Sequence, residues 1–137
     1  PWVAAKNGPE SFFRRPVSQS HSVMLDGKSE KGSFKLGYSR NDDQGILPNS
    51  HITKNFVNFG ASYEIVKNLT ASASINFTQQ KGQGRYGTGY DDKNMMTNFR
   101  QWWQTNVDVQ AQRHAYERTK QNITWNWADP STDVVPI

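Results

Sequence analysis

Few residues in this chain have the type and spacing for covalent chemistry. Asp42 and Asp43 are adjacent carboxylates, but neighbours on an extended chain point apart, which excludes them as an acid/base pair. His21 has no second histidine or carboxylate at a ligand spacing and reads as a strand residue near a polar boundary. Gly82-Gln83-Gly84-Arg85-Tyr86-Gly87 matches G-x-G-x-x-G in letters. A dinucleotide loop needs a helix opening at the third glycine inside a βαβ unit, whereas a Gly/Tyr-rich loop follows here. With no cysteine, thiolate metal sites and disulfides are excluded. Asp26, Glu64, Asp91 and Glu117 form no recognisable glycosidase pair. The residues therefore predict a protein that is not an enzyme and has no cofactor or metal.

What remains is aromatic. Four of the five tryptophans, Trp102, Trp103, Trp125 and Trp127, lie in the last third, preceded by Tyr86 and Tyr90. Such a cluster serves either as a small core or as a surface for stacking on a sugar or docking a partner. These six residues are the candidates for contact with substrate or partner.

The elements that position them begin with Lys54–Gln79. From Val57, every second residue is apolar: Val57, Phe59, Ala61, Tyr63 and Ile65. After Lys67-Asn68 the alternation resumes with Leu69, Ala71, Ala73, Ile75 and Phe77, against Thr70, Ser72, Ser74, Asn76 and Thr78. A period of two predicts strands, and the short link predicts a hairpin with Asn68 at positive φ. Residues 16–26 alternate in the same way, with Val17, Gln19, His21, Val23 and Leu25 on one side. Residues 33–40 follow, with Phe34, Leu36 and Tyr38 apolar and Lys35 opposite. Gly27–Gly32 reads as a turn, 41–53 as a loop, and 80–90 as a further loop. Asp92 or Asn94 caps a short helix through the Met95–Gln104 stretch, and a second helix is predicted over about Asp108–Lys120.

Each hairpin strand is about ten residues long, the length a tilted transmembrane β-strand needs. The residues alone leave two readings of the apolar face, a lipid-facing barrel wall or the core of a soluble carbohydrate-binding β-sandwich. The small side chains Ala71 and Ala73 fill a core poorly. The chain of 137 residues carries a formal charge of +4, and its mean hydropathy is −0.85. It has no apolar run of transmembrane-helix length, which leaves β-barrels open. Its basic residues are scattered, which argues against nucleic-acid binding. Starting at Pro1 and ending on Val134-Val135-Pro136-Ile137, it reads as a piece of something longer. Three formal glycosylation sequons, at Asn68, Asn76 and Asn122, are discounted as chance matches.

In combination, several stretches resemble the early barrel of SusC/RagA-type TonB-dependent outer-membrane transporters. They are Phe12-Phe13-Arg14, Val17-Ser18-Gln19-Ser20-His21, the Gly27–Gly32 turn, Leu36-Gly37-Tyr38-Ser39, Gln44-Gly45-Ile46-Leu47-Pro48-Asn49-Ser50 and Asn68-Leu69-Thr70-Ala71-Ser72. Gly87-Thr88-Gly89-Tyr90-Asp91 and Val107-Asp108-Val109 look similar to the loop that follows. Pro16 departs from the small residue expected in that family.

The resemblance implies an all-β fold, about four strands of an antiparallel up-and-down transmembrane barrel with a long, partly helical extracellular loop. It divides the chain into a connecting segment (1–15), barrel strands and turns (16–80) and the loop (81–137). The plug domain and the rest of the barrel lie elsewhere. Phe34, Leu36, Tyr38, Val57, Phe59, Tyr63, Ile65, Leu69, Ala71, Ala73, Ile75 and Phe77 would face outer-membrane lipid. The implied function is import of oligosaccharides or peptides across the bacterial outer membrane, with a SusD-like surface lipoprotein as partner. Transport would be energised by the TonB complex through regions outside this chain, with no cofactor.

Overall fold

The computed structural model describes residues 2–85, 87, 89–90, 94–121 and 123–125. They fall into two compact units. One comprises 16–45 and 49–83, the other 1–15, 46–48 and 84–137.

The first unit is a four-stranded antiparallel meander, β1 (Ser18–Lys28), β2 (Gly32–Gln44), β3 (His51–Val66) and β4 (Leu69–Gln83), in the order β1-β2-β3-β4. The sheet is not closed: β1 and β4 are its edges. The β3–β4 connection is the two-residue turn Lys67-Asn68, with Asn68 at φ 71°, as the sequence predicts. A bulge between Glu64 and Val66 lets Val66 pair with Leu69 beside that turn. The β1–β2 turn is closed by Ser29 N–H donating to the Gly32 carbonyl at 2.7 Å.

The strands run further than the apolar alternation predicts. The loop expected over 41–53 contracts to 45–50, where Gly45 N–H donates to the Ser50 carbonyl at 2.8 Å and Asn49 sits at φ 61°. The turn expected over 27–32 shrinks to 29–31, and β4 continues to Gln83 rather than stopping near Gln79. The ladder persists because polar side chains take over the cross-strand pairing. Ser20 donates to Asn41 at 2.7 Å, Thr53 to Asp42 at 2.8 Å, and Asn55 to Gln79 at 3.5 Å.

In the second unit, a 3₁₀ turn (Pro9–Phe12) precedes the sheet, and helices follow it. These are α1 (Met95–Thr97), which runs into a π turn (Asn98–Trp102), and α2 (Val109–Thr119). The all-β expectation is thus met as a mostly β fold that also carries helices between Met95 and Thr119. The helix expected over 95–104 is a single α turn. The helix expected over 108–120 forms, capped at its start by Asp108 and ended by Lys120 at φ 57°. The buried hydrophobic residues, Leu47 and Val109, and the buried Asn94 all belong to this unit. No described residue of the sheet is buried.

Candidate functional site

Residues paired directly across an antiparallel sheet share a face, so the register sorts the strands into two surfaces. On one, rows of partners run across all four strands. Val23, Tyr38, Val57 and Phe77 form the first, and Leu25, Leu36, Phe59 and Ile75 the second. The third is Gly27, Phe34, Ala61 and Ala73, and the fourth Gly32, Tyr63 and Ala71. Leu69 continues the alternation of β4 at the turn, where it pairs with Val66 across the bulge at Ile65. Eleven of the twelve residues expected on the apolar face therefore fall on one side of the sheet, joined by Val23, Leu25 and Ala61; the twelfth, Ile65, lies in the bulge and has no partner in the register. The band is open: Ile75 is 58% exposed and Phe77 55%.

The other face is mostly polar, with Met24, Ile52 and Phe56 as its large apolar residues. Ser22 and Ser39 share a hydrogen bond at 2.9 Å, and Asn58 lies opposite Asn76, Ser62 opposite Ser72. Lys35 lies here, opposite Asp26 and Gly60, which agrees with the orientation expected of it.

The apolar band stops within one row. Next to Tyr38 and Val57 come His21, Arg40, Asn55 and Gln79, then Gln19, Asp42, Thr53 and Lys81. The boundary is tied by the Tyr38 hydroxyl, which donates to Asn55 Oδ1 at 2.9 Å. Beyond it, Asp42 accepts from Arg40 Nε at 2.8 Å. His21 thus sits at a polar margin. Among the described residues no group of three or more histidine, aspartate or glutamate side chains could hold a metal ion.

The aromatic candidates in the second unit separate into two kinds. Phe99 is the hub of a ring cluster, with centroids 5.7 Å from Phe12, 5.9 Å from Phe13 and 5.2 Å from Trp103, all edge-to-face. Trp103 is therefore a packing residue, and its indole Nε1 is buried without a hydrogen-bond partner. Trp102, one position earlier, is 57% exposed, Tyr90 78% and Trp125 40%. None of these three joins a ring pair among the described residues. Tyr86 and Trp127 lie outside the described residues.

The cluster is held by local hydrogen bonding. Asn94 caps α1 by accepting from Met96 N–H at 3.2 Å and donates to the Gly89 carbonyl at 2.7 Å. Asp108 caps α2, accepting from Ala111 N–H at 3.0 Å and from Asn7 Nδ2 at 2.9 Å. These bonds, that from Ala111 first, hold the Asp108 carboxyl below its ordinary pKa. Val109 N–H donates to the Asn7 carbonyl at 3.0 Å and Gln110 Nε2 to the Ser11 carbonyl at 2.6 Å. Sequence reasoning missed this role for residues 5–13, read there as a connecting segment. Phe12-Phe13 was the available signal, an adjacent pair of large rings outside any alternating strand.

No family profile, curated protein or solved structure matches the chain. Its function is therefore argued from these two surfaces and from the sequence.

Proposed function

We propose that this chain is part of the wall of an outer-membrane β-barrel, with the apolar face toward lipid and the polar face toward the lumen. The observation that carries the reading is the continuous apolar band across four strands, ended on the same face by a polar margin. A sheet with one apolar face must bury it against something, and here Val23, Leu25, Phe34, Tyr38, Tyr63, Ile75 and Phe77 of the band are exposed while no sheet residue is buried. From Leu69 to Phe77 on β4 the band runs eight residue steps, roughly 27 Å at ~3.4 Å per residue. Tilted by about 40°, that is roughly 20 Å of height, near the ~25 Å apolar band of outer-membrane barrels.

The edges support the same reading. β4 is fifteen residues long with Lys81 as its single charged residue and no proline. Natural free edges are shortened, charged or interrupted, so β4 has the character of a strand that is paired on both sides. Meander topology is the connectivity of up-and-down barrels. A soluble sandwich would instead need a second sheet over the apolar face.

The sequence resemblance takes the proposal further, to a SusC/RagA-type TonB-dependent transporter that imports oligosaccharides or peptides beneath a SusD-like lipoprotein. On that reading the short turns 29–31 and 67–68 face the periplasm. The loop from residue 81 onward, which carries exposed Trp102, Tyr90 and Trp125, is extracellular on that reading, where substrate and lipoprotein are met. The test is an electrophoretic comparison of unheated and boiled full-length protein from detergent-extracted outer membranes. A large band whose mobility changes on boiling is expected. A small, detergent-independent species unchanged by heating refutes the proposal.

A further inference from the structure

Asn7-Gly8 is the chain's one asparagine–glycine pair, and it stands where residues 5–13 are fastened to α2. Asn7 makes two bonds to the start of that helix. Its Nδ2 donates to Asp108 Oδ2 at 2.9 Å, and its carbonyl accepts from Val109 N–H at 3.0 Å. Ala5 N–H donates to the Thr105 carbonyl at 2.8 Å on one side of this pair, and Gln110 Nε2 to the Ser11 carbonyl at 2.6 Å on the other. Asn7 and Gly8 are both half-buried. The Gly8 carbonyl is engaged, accepting from Ser11 N–H at 3.0 Å and from the Ser11 hydroxyl at 2.7 Å. Among the described residues nothing accepts from the Gly8 N–H. Lacking a Cβ, Gly8 neither shields that nitrogen nor restricts its rotation toward the preceding side chain.

We infer that Asn7 is a self-modification site, at which loss of the side-chain amide unfastens residues 5–13 from α2. The Gly8 nitrogen gives its proton to hydroxide and attacks Asn7 Cγ. The Cγ–Nδ2 bond breaks, Nδ2 takes up a proton and leaves as ammonia, and a cyclic imide remains. Water then opens the imide at one of its two carbonyls, giving aspartate or, with the chain rerouted through Cγ, isoaspartate. The sum is amide plus water going to acid plus ammonia, with no oxidant or cofactor. Either product undoes the fastening. Aspartate replaces the Nδ2 donor with a carboxylate facing Asp108, whose own carboxyl is held below its ordinary pKa and is charged at neutral pH. Two ionised carboxylates share no proton and repel. Isoaspartate adds a backbone carbon and displaces the carbonyl that Val109 N–H uses. The ring contacts of Phe12 and Phe13 with Phe99 involve neither bond, so loosening starts at Asn7 and the first turn of α2.

The test incubates full-length protein at mildly alkaline and at mildly acid pH and maps its peptides by mass spectrometry, with amide exchange over Val109–Thr119 followed in parallel. Conversion of Asn7 to a mixture of aspartate and isoaspartate is expected, faster at alkaline pH, with faster exchange at the start of α2 in the converted protein. Asn58 and Asn76 are each followed by phenylalanine within the strand ladder and should stay amides. Gly8→Ala should slow the conversion; its Cβ would meet the end of the flexible Glu10 side chain, with Oε2 at 2.8 Å. Asn7→Asp should show the fast exchange without incubation. Adding Asp108→Asn to it should restore slow exchange, because an amide at 108 donates to the new carboxylate while its oxygen still caps Ala111 N–H. Conversion at Asn7 no faster than at Asn58 overturns the inference. So does wild-type exchange in Asn7→Asp, or a double variant that exchanges as fast as Asn7→Asp. None of these outcomes depends on what the apolar face of the sheet meets.

Discussion

Ala73 and Ser74 are neighbours in β4 with opposite environments, and replacing each by arginine separates the two faces. Ala73 lies opposite Ala61 in the third row of the apolar band, with two rows on one side and the Tyr63 row and Leu69 on the other. That is close to the middle of the proposed hydrocarbon region. An arginine on the lipid face at mid-bilayer costs roughly 2–4 kcal/mol, a roughly 30- to 700-fold shift in the folding equilibrium. Ser74 lies opposite Gly60 on the polar face, and a Cβ added to Gly60 would meet nothing within 4 Å. An arginine at 74 therefore has room beside it and faces a polar surface, so its cost should stay below about 1 kcal/mol. The assay is reversible folding of the full-length protein into lipid bilayers, followed by urea titration. Ala73→Arg should lower stability by at least about fivefold more, as an equilibrium constant, than Ser74→Arg. Moving the arginine to Leu69, at the turn end of the band, should recover most of the loss, because the penalty falls to about 0–1 kcal/mol near the interface. Equal tolerance of the two central substitutions would refute the assignment of faces.

Other outcomes follow from the same geometry. Gly32→Ala should destabilise the sheet by about 1–3 kcal/mol, because its Cβ would stand 2.6 Å from the Ser62 carbonyl oxygen, which belongs to the backbone. Gly27→Ala meets only the movable Phe34 ring and should cost less in the same urea titration. Removing the α2 cap with Asp108→Ala should loosen the helix, seen as faster amide exchange over Val109–Thr119. The Asp108 carboxyl titrates lower when folded, so its contribution is complete above the ordinary aspartate pKa of about 4 and is lost as pH falls through the folded value. In Asp108→Asn, exchange over α2 should lose that acid dependence. Trp102→Ala should weaken substrate or lipoprotein binding and leave thermal stability unchanged. Trp103→Ala should lower stability, since its ring packs on Phe99; the reverse pattern would exchange the two roles.

The two faces were legible because alternation is a local property of the chain. One apolar residue in two, sustained from Val57 to Phe77, fixes which side chains share a surface, and Asn68 marks the turn because its backbone tolerates positive φ. The strand ends were not legible, because beyond Tyr38 and Val57 the apolar signal stops while the ladder goes on. Asp42 and Thr53 read as loop residues in a hydropathy pattern, yet Thr53 donates to Asp42 across the strands. The aromatic cluster was half legible. Phe99 and Trp103 are four residues apart, a helical spacing visible in the sequence. The docking of Phe12 and Phe13 on Phe99 is a long-range contact that no local pattern encodes. The π turn at Asn98–Trp102 replaces the helix that the Met95, Phe99 and Trp103 spacing predicts, and Trp102 is left exposed.

Spin labels placed one at a time along β4, from Leu69 to Lys81, in full-length protein reconstituted into bilayers give the most direct test. Collisions with oxygen, which concentrates in lipid, are compared with those of a polar nickel chelate. A lipid-facing band predicts oxygen accessibility that peaks at 69, 71, 73, 75 and 77 and changes over to the chelate at 79 and 81. Odd-numbered positions from 69 to 77 that are closed to both reagents would mean a packed core behind the apolar face, and would contradict the barrel wall.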